Sequence, residues 1–152
     1  MPVRAQICIF LNVDLGETVR DEFVSCFGAT STAQSVTASS NTAMLCKTVN
    51  FDDTGEYNAT TGRFVAEHDG TYLFTGSVHG SLGSVSWRIL MIYVNGAERF
   101  RIQENTSMRC DCAIVGSSVP IKLKAGDYVQ LYYNSSVADS LNGIVFGGVR
   151  IK

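Results

Sequence analysis

The sequence is poor in charge and has no cluster of like charges. Charged residues make up 17% of the 152 residues, and 12 basic against 14 acidic side chains give a net charge of −2. A chain with this balance has no electrostatic footprint for DNA, RNA or an anionic membrane surface. We therefore expect no nucleic acid among its partners.

Long apolar runs and sustained helical periodicity are also absent. The apolar run at residues 5–13 is interrupted by Gln6 and Asn12, and it is far shorter than the roughly 20 residues that a membrane span needs. No small-x-small cleavage site follows it, so a terminal strand is a simpler interpretation than a signal peptide. The chain contains 14 Gly, only two Pro and many β-forming residues, and this composition predicts one all-β domain.

Residue patterns typical of catalysis are missing. His68 and His79 have no Ser, Cys or carboxylate at a spacing that indicates a triad. The glycines Gly143, Gly147 and Gly148 follow neither a Walker nor a dinucleotide-binding spacing. We predict that the protein is not an enzyme and carries no organic cofactor.

The cysteine count is odd. The five residues are Cys8, Cys26, Cys46, Cys110 and Cys112, so at least one thiol is free or bonded to another chain. The Cys110-x-Cys112 pair could hold zinc with other ligands, but no second pair of suitable spacing accompanies it. Thiols without a metal are the simpler interpretation.

Aromatic residues at regular distances mark the segment from residue 51 to residue 74. Tyr57 and Phe64 precede an Asp69-Gly70 turn, and Tyr72 and Phe74 follow it. Side chains on a strand alternate between its faces, so Tyr72 and Phe74 share a face that must be core. The segment predicts two β segments around the turn.

Four further segments predict strands. Residues 84–94 are apolar on both faces, and Asn95-Gly96 then supplies the pair typical of a type I′ hairpin turn. The others are residues 113–123, 128–133 and 144–151. The polar, low-complexity stretch at residues 29–43 predicts a long edge connection rather than core.

Three blocks of the sequence resemble the C1q globular-head family, whose fold is related to that of tumour necrosis factor. In the first block the matching positions are Asp52, Tyr57, Phe64, Gly70, Tyr72 and Phe74. Cys46 stands where a leading Phe is usual, and Gly76 stands where a last aromatic is usual. The Leu-x-Ala-Gly-Asp-x-Val stretch at 123–129 and the closing segment around Phe146 are the second and third blocks.

The resemblance covers residues 24–151 and implies a jelly-roll β-sandwich of about ten strands that assembles as a homotrimer. It places a C1q-like domain at 24–152, after an N-terminal arm at 1–23. No Gly-X-Y repeat is present, so the collagen stalk is absent. The implied core signature comprises Tyr57, Phe64, Tyr72, Phe74 and Phe146.

The strands containing Leu73 and Val145 carry apolar or very small residues on both faces, which would leave an apolar patch exposed on a monomer. By resemblance these strands lie side by side near a three-fold axis. The predicted trimer face comprises Leu73, Thr75, Val145, Gly147 and Val149.

The resemblance also implies a function and a location. We expect a secreted recognition module of the innate-immune type that binds carbohydrate or other surface patterns. The alternative is a structural assembly unit, or a signalling ligand like tumour necrosis factor that binds a protein receptor. Some family members bind calcium near the axis, and the nearest candidate ligand here is Asp111, with Glu104 further off.

Overall fold

The computed structural model describes residues 25–80, 85–108 and 113–152, and these residues form thirteen strands and no helix. The strands are β1 (Cys26–Ser31), β2 (Gln34–Val36), β3 (Thr42–Ala43), β4 (Thr48–Asp52), β5 (Tyr57–Asn58), β6 (Arg63–Val65), β7 (Gly70–Gly80), β8 (Val85–Val94), β9 (Ala97–Met108), β10 (Ala113–Leu123), β11 (Tyr128–Ser135), β12 (Asp139–Leu141) and β13 (Gly143–Arg150). The predicted all-β fold is confirmed.

Two antiparallel sheets make up the sandwich. The first has five strands in the order β10-β7-β13-β1-β4, and the second has six, of which five follow the order β5-β6-β11-β8-β9 and β3 is the sixth. Strand β3 also pairs with β11, and β12 pairs with β2 in a small separate sheet. The expected number of strands was about ten. Five of the thirteen strands, namely β2, β3, β5, β6 and β12, have two or three residues each and are too short to show a period.

The hairpin between β8 and β9 forms as predicted. Asn95 and Gly96 have φ values of 52° and 79°, and they are the only two residues between the strands. Positive φ at both central positions is what a type I′ turn requires, and its twist matches that of the flanking strands. The connection before β7 differs, because β6 and β7 belong to different sheets. Residues 66–69 therefore carry the chain from one sheet to the other.

Aromatic rings fill the space between the two sheets. The ring centroid of Phe27 lies 5.0 Å from those of Tyr57 and Phe64, 5.2 Å from that of Phe146 and 6.4 Å from that of Phe74. The rings combine stacked and edge-to-face geometries, each of which adds roughly 0.5–1.5 kcal/mol beyond the burial of apolar area. This cluster joins strands from both sheets into one core.

The prediction for residues 29–43 was wrong at its start. Strand β1 extends to Ser31, and Ala29 is fully buried between its partners Phe146 and Val49. Val36 in β2 is buried as well. Ala29 belongs to the main core cluster, and a reading of polarity alone does not detect a buried alanine among polar neighbours.

The structure accounts for Gly76, one of the two departures from the family pattern, and shows the surroundings of the other, Cys46. The backbone N–H of Cys46 donates to the Tyr57 hydroxyl (3.2 Å), and that hydroxyl lies 3.3 Å from the carbonyl of Cys46. At Gly76, a Cβ would lie 2.5 Å from Cδ1 of Leu131. Leu131 of the opposite sheet thus occupies the space that a larger side chain at position 76 would take.

Candidate functional site

The outward face of the five-stranded sheet carries the five residues of the predicted trimer face. Strand β13 pairs with β7 so that Val149 lies opposite Leu73 and Gly147 lies opposite Thr75. Ile144 and Phe146 are buried in the core, and the alternation along β13 therefore turns Val145, Gly147 and Val149 to the other face. The predicted adjacency of the two strands is confirmed.

A groove with a cavity volume of about 350 Å³ runs across this face. Its lining includes Phe51, Leu73, Thr75, Val145, Gly147 and Val149, and none of the described residues that line it is charged. Val145 is 45% exposed, while Leu73 and Val149 are half-buried. Exposed apolar surface that is contiguous rather than scattered commonly marks an interaction site. We call this surface the apolar groove.

Two glycines shape the floor of the apolar groove. A Cβ at Gly28 would lie 2.7 Å from Cε1 of Phe51, so the Phe51 ring lies directly over that glycine. On the neighbouring strand, a Cβ at Gly147 would lie 3.1 Å from the carbonyl oxygen of Phe27. Gly28 and Gly147 are paired in the β1–β13 ladder. The Phe51 ring therefore fills the space over Gly28, whereas at Gly147 the lining of the groove is backbone.

The five residues of the core signature lie between the sheets. Tyr57 is 7% exposed, and Phe64, Tyr72, Phe74 and Phe146 are at most 1% exposed. The hydroxyl of Tyr72 reaches the edge of the core, where it donates to the carbonyl of His68 at 2.8 Å. These aromatic residues lie beneath the sheet that carries the apolar groove, and Phe146 is also among the residues that line it.

Arg88, Tyr133 and Asp139 form a buried polar network that was not predicted from the sequence. Arg88 and Asp139 form a fully buried ion pair, with Nε and Oδ2 3.4 Å apart. Arg88 Nε also donates to the Tyr133 hydroxyl (3.1 Å), which donates to Asp139 Oδ2 (3.0 Å). Burial and the neighbouring Asp139 raise the pKa of Tyr133 to about 12. The available signal was Arg88 itself, a charged residue inside an apolar strand on the face of Leu90 and Ile92.

A second buried carboxylate belongs to Glu56. The hydroxyls of Ser25 and Thr54 donate to its Oε2, and the backbone N–H of Glu67 donates to its Oε1 at 2.8 Å. These partners come from the residues before β1, before β5 and after β6. The carboxylate therefore joins three separate segments of the chain.

The metal and cysteine predictions fall largely outside the described residues. Asp111, the calcium candidate, lies there with Cys8, Cys110 and Cys112, and the side chain of Glu104 is not described either. Within residues 25–80, 85–108 and 113–152, no group of three or more His, Cys, Asp or Glu side chains is arranged to hold a metal ion. Cys46 is fully buried, and burial raises the pKa of its thiol to about 11.

The described part of the chain contains no helix that is long and apolar enough to cross a membrane.

Solved structures with the same fold cover most of the chain. The globular domain of zebrafish complement 1qA protein has a TM-score of 0.64 at 14% identity, with 84% of this chain and 98% of that one covered. Murine APRIL gives the same TM-score and identity, with 84% and 99% covered. PRD1 vertex protein P5 gives a TM-score of 0.63 at 12% identity, with 84% and 97% covered. At these identities the likeness establishes the jelly-roll fold alone.

Sequence comparison assigns the family. No curated protein matches the sequence significantly. A family model, that of the C1q domain, matches residues 26–150, which run from the first residue of β1 to the last residue of β13. The match includes both sheets, the aromatic core and the apolar groove. The chain therefore belongs to the C1q domain family.

Proposed function

We propose that the protein is a non-enzymatic recognition module that assembles as a homotrimer through the apolar groove and binds a carbohydrate or protein ligand on a surface. The observation that carries the proposal is the outward face of the five-stranded sheet. It combines an exposed Val145, half-buried Leu73 and Val149, and a lining without charge. Contact with copies of the same chain removes that face from water.

The family supports three copies rather than two. The resemblance on which the sequence analysis relied implies a compact trimer with this sheet nearest the axis. A trimer presents three equal sites at once, and avidity raises the apparent affinity by roughly 10² to 10⁴ over a single site. A module of this kind functions without a deep pocket at each site. On the same family resemblance, we propose that residues 24–152 form the recognition domain after an arm at residues 1–23, and that the protein acts outside the cell.

Substitution of Val145→Arg tests the assembly. Three guanidinium groups would meet near the axis without partners, and the cost of removing each unpaired charge from water is several kcal/mol. We expect the variant to be a folded monomer by light scattering and the wild type to have three times the monomer mass. The matched control is Val137→Arg, because Val137 is 40% exposed but lies in the loop between β11 and β12.

The control variant should remain trimeric. A wild type at monomer mass, or a trimeric Val145→Arg variant, would contradict the proposed assembly. Loss of assembly in both arginine variants would show that added charge, rather than the position of Val145, is responsible.

The ligand class is tested separately. A glycan array and a pull-down of cell-surface proteins, both with the wild-type trimer, distinguish carbohydrate recognition from a role as a receptor ligand. Saturable binding to glycans would support the first function. Capture of one cell-surface protein, with no glycan bound, would support the alternative of a signalling ligand.

A further inference from the structure

The outward face of the six-stranded sheet carries a cluster of aromatic and cationic side chains. Along the strands of this sheet, side chains that point into the core alternate with side chains that point outward. The inward residues are Phe64, Val129, Leu131, Ile92 and Val94. The residues next to them that share the outward face are Arg63, Tyr128, Tyr132 and Tyr93. We call these four the Tyr–Arg patch. Its strands are β6, β11 and β8, which are neighbours in the sheet.

Two stacked pairs build the Tyr–Arg patch. The guanidinium carbon of Arg63 lies 4.2 Å from the ring centroid of Tyr128. The rings of Tyr93 and Tyr132 are stacked, with centroids 3.9 Å apart and planes at 16°. Gln130 is paired in the sheet with both Arg63 and Tyr93 and is 5% exposed, so the two pairs close over it. The two pairs are neighbours, because Gln130 lies between Tyr128 and Tyr132 on β11 and is paired across the sheet with Arg63 and Tyr93.

The patch is ordered at its margin by hydrogen bonds. Asn41 Nδ2 lies 2.7 Å from the Tyr93 hydroxyl, and Asn134 Nδ2 donates to Asn41 Oδ1 at 2.5 Å. The amide of Gln130 donates to the carbonyl of Thr61 at 2.8 Å. Rings held in this way lose little conformational freedom when a ligand binds, which reduces the entropic cost of association.

Two arginines form ion pairs in the structure, and Arg63 is not one of them. Arg88 has Asp139 and Arg101 has Glu98, whereas the described residues place no carboxylate within salt-bridge distance of Arg63. Arg63 is also exposed. Its guanidinium thus remains able to form a bidentate, charge-assisted contact with an incoming carboxylate or sulfate.

The size of the patch favours a small ligand. The patch spans two strand spacings, about 10 Å, and the four residue steps from Tyr128 to Tyr132 along β11, about 13 Å. That area is far below the roughly 800 Å² that each partner buries in a standard protein interface. Three phenol rings offer apolar surface to the C–H face of a sugar ring, together with hydroxyl groups for its polar edge.

We propose that the Tyr–Arg patch binds an acidic saccharide, with Arg63 pairing to a carboxylate or sulfate and the tyrosines contacting the sugar rings. This inference rests on the proposed recognition function and names its site and ligand class. The patch lies on the sheet opposite the apolar groove, so assembly through the groove leaves it open to solvent. Each of the three subunits then contributes one site.

The test is a glycan array with the wild-type protein. It carries oligosaccharides with uronate, sialate or sulfate groups, and each stands beside its methyl-esterified or desulfated counterpart. We expect binding to one or more acidic members, at least tenfold weaker binding to the matched neutral member, and weakening by added NaCl. Equal binding to the charged and neutral members of every pair would overturn the proposal.

Variants assign the site on the acidic oligosaccharide that the array identifies. Arg63→Gln should weaken the affinity of a single site by about 10- to 100-fold, the range for loss of a charge-assisted hydrogen bond. Arg63→Lys, which keeps the charge but not the bidentate geometry, should lose less. The control is Lys47→Gln, which removes one exposed positive charge before β4 and should bind as the wild type does.

The outcomes separate this inference from the function on which it rests. If Arg63→Gln and Lys47→Gln bind alike, or if only neutral glycans bind, carbohydrate recognition stands and the Tyr–Arg patch is not its site. If no glycan of either kind binds, carbohydrate recognition itself fails. A poly-glutamate peptide that competes as well as the acidic oligosaccharide would show that only charge is recognised, and this would also overturn the proposal.

Discussion

Substitution of Gly148→Ala tests whether the aromatic core is as tightly packed as the structure indicates. A Cβ at this position would lie 2.8 Å from Cδ1 of Phe74 and 2.9 Å from Cε1 of Phe27. Carbon atoms in favourable contact are about 3.5–4.0 Å apart, so the rings must move by roughly 0.7–1 Å. Both rings are at most 2% exposed and are surrounded by other rings. Neither can turn toward solvent to relieve the contact.

The expected cost follows from overpacking in other cores. Such substitutions typically reduce the free energy of unfolding by about 1–3 kcal/mol. For a domain of about 150 residues each kcal/mol corresponds to about 2–4 °C, so Tm should fall by about 2–12 °C. The assay is thermal unfolding followed by circular dichroism. All variants are compared at one protein concentration, because assembly makes Tm depend on concentration.

Gly143→Ala is the matched control on the same strand. There the nearest atom to a Cβ is the Cβ of His79 at 3.7 Å, which is an ordinary contact. Since alanine reduces the freedom of the unfolded chain, this variant should be unchanged or more stable by about 0.4–1 kcal/mol. If Gly148→Ala and Gly143→Ala had the same Tm within about 1 °C, the rings around Gly148 would have to be far looser than their spacing indicates.

Two further predictions concern the buried polar groups. Asp139→Asn removes the negative charge beside the buried Arg88, so it should reduce the free energy of unfolding by about 3–5 kcal/mol in urea titrations. The double variant Arg88→Met with Asp139→Leu leaves no unpaired charge and should reduce it by less. A loss below about 1 kcal/mol for Asp139→Asn would contradict the role given to the ion pair. The pKa of Cys46 rises from about 9 to about 11 on folding. The protonated thiol therefore contributes about 3 kcal/mol to the free energy of unfolding below pH 9, and this contribution is lost between pH 9 and pH 11. Urea midpoints should therefore fall over that window, and they should fall less in Cys46→Ala; an equal decrease in both proteins would exclude Cys46 as the cause.

The long strands could be predicted from the sequence because each has a local signal. Strand β10 was predicted with the bounds that the structure gives it, and β8 differed by one residue at its start. Both are long, and both end at turns whose residues have a known backbone requirement. The adjacency of β7 and β13 has no local signal, and it came from the family resemblance alone.

The features that were missed depend on contacts between distant parts of the chain. The partners of Arg88 are separated from it by 45 and 51 residues, and only the folded chain brings them together. Ala29 was assigned to a connection because its neighbours are polar, although the folded chain buries it completely in the core. The Tyr–Arg patch also has no local signature, since its four residues come from three strands that are adjacent only in the sheet.

The two outward faces of the sandwich have different chemistry, and this difference has a consequence for the kind of ligand that is bound. The apolar groove lacks charged residues, whereas the Tyr–Arg patch has an exposed guanidinium beside three phenol rings. If the groove faces the three-fold axis, the three patches point away from it in different directions. A short soluble saccharide can then occupy one patch at a time and gains no avidity. Acidic saccharides displayed densely on a surface, or repeated along one long chain, can engage several patches, so the same site will discriminate between free and surface-bound forms of one ligand.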